Sequence, residues 1–259
     1  MNKKESKILR FEHLESTNSK ARELLKNSEL DEGSIIICND QSAGRGYGTN
    51  AWESAPEKNL TATWILKPSF LTADRQFWLT KVLSLAVRDT VIHFHKGNLP
   101  VTIKWPNDVY VGNSKISGIL VENNIFGNNI QVTVAGVGLN VNQEEFYSDI
   151  PNPVSLKQLI GKDTDLEHCL EILNDRIFYY YNLLRTSQSE RLDFEYTNSL
   201  YLLNKPSLFK DETKQFEGII RGTDDYGRLQ IETTSGEIRN YDFKEVSFIL
   251  NSNSGEMFL

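Results

Sequence analysis

Three apolar segments follow one another between residues 101 and 140, and only short turns separate them. The first turn contains Gly112-Asn113 and the second contains Gly127-Asn128-Asn129. Glycine and asparagine adopt the backbone conformations of tight turns more readily than other residues, so each turn predicts a hairpin between two paired strands. The sequence therefore predicts a sheet that is mostly antiparallel and meandering.

The first of these segments is interrupted by Lys104-Trp105-Pro106-Asn107-Asp108. Proline has no amide hydrogen to donate to a neighbouring strand, so a strand is expected to kink or end there. The hairpin that follows returns the chain along its predecessor and places Lys115 near Asp108. A lysine between a tight turn and a buried strand is a poor choice for a purely structural position, which makes Lys115 a candidate for chemistry.

A glycine-rich polar loop spans residues 39–52 and follows the apolar run Ile35-Ile36-Ile37-Cys38. Glycines allow backbone amides to approach a ligand closely, and such a loop suits an anion. A dinucleotide-binding loop would open an amphipathic helix, whereas residues 59–66 alternate like a strand. The pattern therefore favours either an anion-binding loop or a simple mobile turn, and it disfavours a Rossmann site.

Helical spacing of apolar residues predicts helices within residues 16–25, 72–97, 163–184 and 192–200. The first helix begins with Ser16-Thr17-Asn18, and either Ser16 or Thr17 is expected to cap it. Three consecutive polar side chains offer more hydrogen-bonding groups than one cap uses. Capping alone and ligand binding both stay open for these residues.

The composition of the chain changes near Asn204-Lys205-Pro206. Short alternating segments with turn residues between them predict a small five-stranded barrel from residue 205 to residue 249. The sequence thus predicts an α+β protein, with a mostly antiparallel sheet packed with helices in a domain of residues 1–203. The barrel forms a second domain of residues 204–259. Because the boundary follows a change in composition, the first domain is expected to fold without the second.

The charge balance bears on the class of partner. Lysine and arginine number 28 against 35 aspartates and glutamates, a net charge of −7, which disfavours general attraction to nucleic acid or anionic lipid. Neither a signal region after Met1 nor a run of roughly 20 apolar residues occurs, so a cytoplasmic protein without membrane contact is expected. Cys38 and Cys169 have no metal-ligand spacing, so no zinc site is expected.

Three separated stretches agree with one known family. They are Gln41-Ser42-Ala43-Gly44-Arg45-Gly46 with Trp52, Lys104-Trp105-Pro106-Asn107-Asp108 with Lys115-Ile116-Ser117-Gly118-Ile119-Leu120-Val121-Glu122, and Gly136-Val137-Gly138-Leu139-Asn140 with Asn142. Together with Ser16-Thr17-Asn18 they resemble biotin protein ligase. The resemblance covers residues 8–249, and the Lys-Trp-Pro-Asn-Asp motif is its most specific part.

The resemblance implies a class II synthetase-like catalytic domain of the biotin and lipoate ligases, followed by an SH3-like barrel. It implies that biotin is activated by ATP and Mg²⁺ to biotinyl-5'-AMP. The biotinyl group would then pass to a specific lysine of a biotin carboxyl carrier protein of acetyl-CoA carboxylase or a related carboxylase. Some members of the family dimerise through their sheets, so a homodimer is one state to test.

The residues are compatible with that chemistry. Attack of a carboxylate on the α-phosphate brings two anions together, and Arg45, Lys104 and Lys115 are the cations available to neutralise them. By resemblance the catalytic residues would be Lys115, Lys104, Asp108 and Arg45. Biotin would contact Ser16, Thr17, Asn18, Gln41, Gly44, Arg45, Gly46, Lys115 and Gly118. The nucleotide would contact Arg45, Gly46, Tyr47, Trp52, Asn107, Lys115 and Asn140, and Mg²⁺ would contact Asn107 and Asp108.

The chain departs from the family in two places. The family's loop commonly reads Gly-Arg-Gly-Arg-x-Gly-Arg, whereas Tyr47 and Asn50 stand here in place of the second and third arginines. The loop is therefore expected to hold biotinyl-adenylate less tightly unless a lysine or arginine elsewhere compensates. Several relatives also carry an arginine on the last strand of the barrel, where this chain has Phe248-Ile249-Leu250.

Three alternatives belong to other classes. A lipoate or octanoate transferase has a related fold, but the Lys-Trp-Pro-Asn-Asp and Gly-Arg-Gly motifs favour biotin. A biotin-responsive transcription regulator is not expected, because it would need a helix-turn-helix before Ser16 and because the net charge of −7 disfavours DNA binding. A non-catalytic carrier-binding protein would lack biotin-dependent exchange of pyrophosphate into ATP.

Overall fold

The computed structural model describes residues 7–27, 29–48, 50–147 and 152–249. Within these ranges the larger of two sheets has seven strands. They are β1 (Ile8–Leu14), β2 (Ile35–Gln41), β3 (Leu60–Leu66), β4 (Val101–Lys104), β5 (Asp108–Val111), β6 (Ser114–Phe126) and β7 (Asn129–Leu139). Predictions that concern Met1 or Leu250 fall outside the described residues.

The strands of the large sheet lie in the order β1-β2-β3-β7-β6-β5-β4, and only the β1–β2 pair is parallel. Gly112 and Gly127 lie in the two predicted hairpin turns with φ of 58° and 61°, the left-handed conformation that glycine adopts most easily. Strand β4 ends at Lys104, directly before Trp105-Pro106, as predicted. The prediction of a mostly antiparallel, meandering sheet is confirmed.

Both faces of the large sheet are covered. The helices of the described residues are α1 (Thr17–Lys26), α2 (Phe77–Phe94), α3 (Leu156–Ile160), α4 (Leu166–Arg185) and α5 (Ser189–Asn198). Successive residues of a strand point to opposite faces, so Ile36 and Ile65 pack with α1 whereas Ile35 and Trp64 pack on the side of α2 and α4. All seven residues of β3 are buried as a result.

Helix α2 differs from its predicted bounds at both ends. The Ala73 amide donates a hydrogen bond of 2.8 Å to the Asn128 carbonyl in the β6–β7 turn. This contact holds the chain after Thr72 in a short 3-10 turn, and the α-helix begins only at Phe77. It ends at Phe94 because His95 already has an extended backbone. No helix among the described residues combines the length and apolar character that a membrane crossing requires.

The second sheet has five antiparallel strands in the order β11-β10-β9-β8-β12. They are β8 (Pro206–Asp211), β9 (Gln215–Thr223), β10 (Leu229–Thr233), β11 (Ile238–Tyr241) and β12 (Val246–Phe248). Their number agrees with the five strands expected from the sequence, and the α+β fold class is confirmed.

The two sheets share apolar contacts. Phe209 and Leu229 of the second sheet belong to the same cluster of buried side chains as Ile103 of the first. The indole nitrogen of Trp105 donates a hydrogen bond of 2.9 Å to the Gly227 carbonyl, and Leu203 forms a bridge with Ile220. The domain boundary at residues 203 and 204 stays a prediction, but the surfaces on either side of it are packed together.

A buried lysine joins α2 to α5. The Lys81 ammonium lies 2.5 Å from the Asp193 carboxylate and 4.6 Å from the centre of the Trp78 ring, and the Lys81 side chain is 3% exposed. A buried charge that loses its partner destabilises a protein strongly. We expect Asp193→Asn to lower the free energy of unfolding by about 1–3 kcal/mol. The loss is not larger because the Asp193 carboxylate is half-exposed and water partly screens its interaction with Lys81.

The control for this prediction is Glu190→Gln, which removes an exposed charge from the same helix. Urea unfolding of the two variants and the parent protein measures the difference. Equal stability of Asp193→Asn and Glu190→Gln would mean that the Lys81–Asp193 contact does not stabilise the fold.

Candidate functional site

A cavity of about 440 Å³ opens between the large sheet, the glycine-rich loop and the segment that joins β11 to β12. The structure brings most of the sequence-predicted site residues to its walls. They are Ser16, Thr17, Asn18, Gln41, Arg45, Gly46, Tyr47, Trp52, Lys104, Asn107, Asp108, Lys115 and Gly118. These predicted site residues, up to 102 positions apart in the sequence, therefore line the same cavity. Their individual roles stay predictions.

Gly44 and Asn140 were predicted to contact ligands, but they do not line this cavity. Gly44 lies within the loop, where a Cβ atom would come within 2.3 Å of the Trp52 carbonyl oxygen. Asn140 is buried and donates a hydrogen bond of 3.1 Å to the Val154 carbonyl. In this structure both residues support neighbouring segments instead.

The start of α1 forms a polar wall of the cavity. Ser16 occupies the cap position with an extended backbone, but its side chain makes no capping hydrogen bond. The Gln41 side-chain oxygen instead accepts a hydrogen bond of 2.8 Å from the Thr17 amide. The prediction that the Ser16 or Thr17 hydroxyl caps the helix is wrong, because Gln41 at the end of β2 supplies the acceptor. The Thr63 hydroxyl lies 2.7 Å from the Asn18 amide oxygen and fixes that side chain.

Glycines on β6 and β7 make room for two side chains. A Cβ atom on Gly138 would lie 2.3 Å from the Trp52 ring, and one on Gly118 would lie 3.2 Å from it. A Cβ atom on Gly136 would lie 2.3 Å from the Asn18 amide oxygen. Glycines in strands often mark such close approaches. The indole of Trp52 therefore lies against the strands and forms one side of the cavity.

The basic wall of the cavity consists of Lys104 and Lys115. The Lys115 ammonium lies 2.8 Å from the Asp108 carboxylate, which confirms the predicted proximity of these residues. The Lys104 ammonium donates a hydrogen bond of 3.2 Å to the Tyr110 hydroxyl. Burial lowers the pKa of Lys104, Asp108 opposes that shift and Lys115 adds to it. A negatively charged ligand at these ammonium groups would offset the cost of burying them.

Arg45 on the loop is held by Glu122, a motif residue for which the sequence predicted no role. The two side chains form an ion pair of 3.2 Å. Glu122 also accepts hydrogen bonds of 2.9 Å from Arg22 and from Asn18. Residues at even spacing on a strand share a face, so Gly118 could have indicated that Glu122 faces the same side.

The second sheet contributes residues that sequence reasoning also missed. Phe243, Lys244, Val246, Ser247 and Phe248 line the cavity. Phe248 belongs to the stretch in which the resemblance led us to look for an arginine, and the Lys104 ammonium lies 5.3 Å from the centre of its ring. No local pattern marks these residues, because only the packing of the two sheets brings them to the cavity.

Two family models match the chain. The model of the biotin/lipoate A/B protein ligase family matches residues 11–140, and that of the biotin protein ligase C-terminal domain matches residues 203–249. The chain belongs to the biotin/lipoate A/B protein ligase family. The motifs on which the resemblance rests run from Ser16 to Asn142, and all of them except Asn142 lie inside the first match. The resemblance is therefore confirmed.

Related proteins support the assignment. The bifunctional ligase/repressor BirA of Bacillus subtilis is 28% identical over 234 residues, which cover 86% of this chain and 68% of the relative. The biotin–acetyl-CoA-carboxylase ligase of Paracoccus denitrificans is 27% identical over 228 residues, which cover 86% of this chain and 92% of the relative. The solved biotin protein ligase of Aquifex aeolicus in complex with biotin and ATP has the same fold, with a TM-score of 0.76, 24% identity and coverage of 93% of this chain and 97% of that one.

Proposed function

We propose that this protein is a biotin–protein ligase. It activates biotin with ATP to biotinyl-5'-AMP and transfers the biotinyl group to a lysine of a biotin carboxyl carrier protein. The observation that carries the proposal is the Lys115 ammonium, fixed 2.8 Å from Asp108 on the wall of one cavity that also contains Lys104 and the polar start of α1. Such a cavity suits a ligand with an anionic end and a small polar group.

In the first half-reaction a carboxylate oxygen of biotin attacks the α-phosphorus of ATP. An O–P bond forms, the bond to the β-phosphate oxygen breaks and pyrophosphate leaves. Two anions must come together for this step, and Lys115 and Lys104 supply positive charge at fixed positions. Burial of Lys104 increases the strength of its interaction with phosphate, because little water screens it.

In the second half-reaction the amine of the carrier lysine attacks the acyl carbon of biotinyl-AMP. An amide C–N bond forms, AMP leaves and the attacking nitrogen loses a proton. Asp108 is the carboxylate on the basic wall and orients the Lys115 ammonium. We assign Asp108 to the positioning of Lys115 in both half-reactions.

Mg²⁺ fits the same wall. Magnesium is usually bound through one or two carboxylates together with substrate phosphates. Asp108 supplies a carboxylate, and Asn107 is fixed beside it by a hydrogen bond of 2.6 Å from its side-chain amide to the Ile119 carbonyl. Asn107 and Asp108 therefore suit an ion that binds together with the phosphates of ATP. Bound there, Mg²⁺ would neutralise phosphate charge.

The proposed partners are biotin, ATP and the carrier lysine. A cytoplasmic location and the absence of nucleic-acid binding remain expectations, the second from the net charge of −7. A homodimer also remains to be tested. The lipoate transferase alternative is not favoured, since the Paracoccus denitrificans relative and the Aquifex aeolicus structure are biotin ligases by name.

The proposal is tested by biotin-dependent exchange of labelled pyrophosphate into ATP, with lipoate and octanoate as control acids. We expect exchange with biotin and none with the control acids. Transfer of biotin to a purified carrier domain then tests the second half-reaction. Exchange with lipoate alone would replace this proposal with lipoate activation, and no exchange with any acid would leave a non-catalytic binding protein.

A further inference from the structure

The glycine-rich loop carries less positive charge than expected for its family, since Tyr47 and Asn50 stand in place of two arginines. A lysine of the second sheet lies against this loop. Lys244 belongs to the turn between β11 and β12 and lines the same cavity. Its ammonium lies against the loop, 2.9 Å from the position that a Cβ atom on Gly48 would occupy.

The backbone of Lys244 is unusual for a lysine. Its φ is 72°, in the left-handed region where a side chain with a Cβ atom is less stable than glycine. The turn is closed by a hydrogen bond of 3.1 Å from the Glu245 amide to the Asp242 carbonyl, and it would accept glycine without change. Such conformations are concentrated at functional sites, where the side chain has a use beyond the fold.

The contacts around Lys244 leave its charge available. No carboxylate forms an ion pair with it among the residues that the structure describes. Two other cations of the cavity have carboxylate partners, since Lys115 pairs with Asp108 and Arg45 pairs with Glu122. The third, Lys104, donates a hydrogen bond to the Tyr110 hydroxyl. Within the described part of the chain, Lys244 is therefore a cation at the cavity without a carboxylate partner.

Aromatic contacts hold the loop beside this lysine. The Tyr47 ring meets the Phe243 ring edge to face, with 4.1 Å between their centres. The Phe243 ring lies 6.1 Å from that of Trp105, whose indole donates a hydrogen bond to the Gly227 carbonyl. The tyrosine that replaces an arginine thus attaches the loop to the second sheet, next to Lys244.

We propose that Lys244 contacts phosphate oxygens of the bound nucleotide and supplies charge that the loop lacks at Tyr47 and Asn50. This inference rests on the proposed ligase function, because it assigns a ligand residue to the same cavity. Tyr47 and Phe243 keep the loop and the lysine on the same side of the nucleotide. The second sheet then takes part directly in ATP binding, although its last strand lacks the arginine of some relatives.

The experiment compares Lys244→Met and Lys244→Arg with a charge control, Lys214→Met. Lys214 is an exposed lysine of the second sheet that does not line the cavity. The readouts are the KM of ATP in pyrophosphate exchange and the release rate of biotinyl-adenylate. We expect Lys244→Met to raise at least one of them about tenfold, as for the loss of one charge-assisted hydrogen bond, and Lys244→Arg to stay within a factor of about two to three of the parent.

A higher KM of ATP alone would indicate that Lys244 contacts the β- and γ-phosphates, which leave as pyrophosphate. Faster release of biotinyl-adenylate would indicate that Lys244 contacts the α-phosphate, which stays in the intermediate. Both results support the proposal. Values for Lys244→Met equal to those of Lys214→Met would overturn it while leaving the ligase function in place. Absence of exchange in the parent protein would instead remove the proposed function, and with it the role of Lys244.

A further variant separates ligand binding from a structural role. Lys244→Gly removes the ammonium but also the unfavourable backbone conformation, so its melting temperature should equal that of the parent or exceed it by up to about 3 °C. Binding of a non-hydrolysable ATP analogue should weaken about tenfold in the same variant. Weaker binding together with a lower melting temperature would indicate that Lys244 acts through the fold and would contradict the proposal.

Discussion

We expect Lys115→Met to lower the rate of biotin-dependent pyrophosphate exchange by about a hundred- to a thousand-fold, the typical effect of removing one fixed group that stabilises developing negative charge. The Lys115 ammonium lies at the cavity and is fixed by Asp108 at 2.8 Å, so its loss removes one of the two lysine charges of the basic wall. Methionine keeps a similar length of apolar chain but has no charge. The loss should appear mainly in the catalytic rate.

The matched control is Lys157→Met. Lys157 also forms ion pairs, with Glu144 at 2.8 Å and with Asp163 at 3.0 Å, and its side chain is 26% exposed compared with 20% for Lys115. It does not line the cavity. Exchange should be close to normal in this control, and both variants should unfold within a few degrees of the parent. Normal exchange in folded Lys115→Met would refute the assignment of Lys115.

The second large effect is expected on stability, when the chain is cut after Asn204. The sequence predicts that the first domain folds by itself, but the structure leads to the opposite expectation. Trp105, Phe77 and Leu203 all contact the second sheet and would lose that cover. Each large apolar side chain exposed to water costs about 1.5–3 kcal/mol, and a whole domain is stable by only about 5–15 kcal/mol. We expect the truncated chain to lose cooperative thermal unfolding.

A pair of glycine variants tests the same interface in the full chain. Gly227 and Gly236 lie in turns of the second sheet with φ of 88° and 82°, so alanine is strained at both. A Cβ atom on Gly227 would come within 2.1 Å of the Phe77 ring, whereas nothing lies within 4 Å of one on Gly236. Gly227→Ala should therefore be less stable than Gly236→Ala by about 1–3 kcal/mol. Equal stability of Gly227→Ala and Gly236→Ala in urea, together with cooperative unfolding of the truncated chain, would support the original prediction that the first domain folds independently.

Local patterns were sufficient for much of the fold. Gly112 and Gly127 mark their hairpin turns because the backbone there needs a conformation that glycine adopts easily. Pro106 marks the break between β4 and β5 because it cannot donate to a neighbouring strand. Once the hairpin was predicted, the proximity of Lys115 and Asp108 followed from the pairing of strands, and the structure confirms it.

Other features of the site were not readable from the chain alone. Gln41 takes over the acceptor role that was expected of Ser16 or Thr17, and Glu122 binds the Arg45 side chain. Each of these contacts joins residues on different elements. A hydroxyl at a helix start predicts a cap only when no better acceptor lies nearby, and the sequence does not list the neighbours in space.

By itself the sequence determined the order of the strands along the chain, because turns, proline and glycine act on the backbone within a few residues. Its motifs were also sufficient to indicate the family and the motif residues of the cavity. Only the tertiary structure decided that Lys244 and Phe243 reach that cavity and that both sheets share one apolar core. The physical reason is that burial and charge depend on every group around a residue, including groups more than a hundred positions away in the chain.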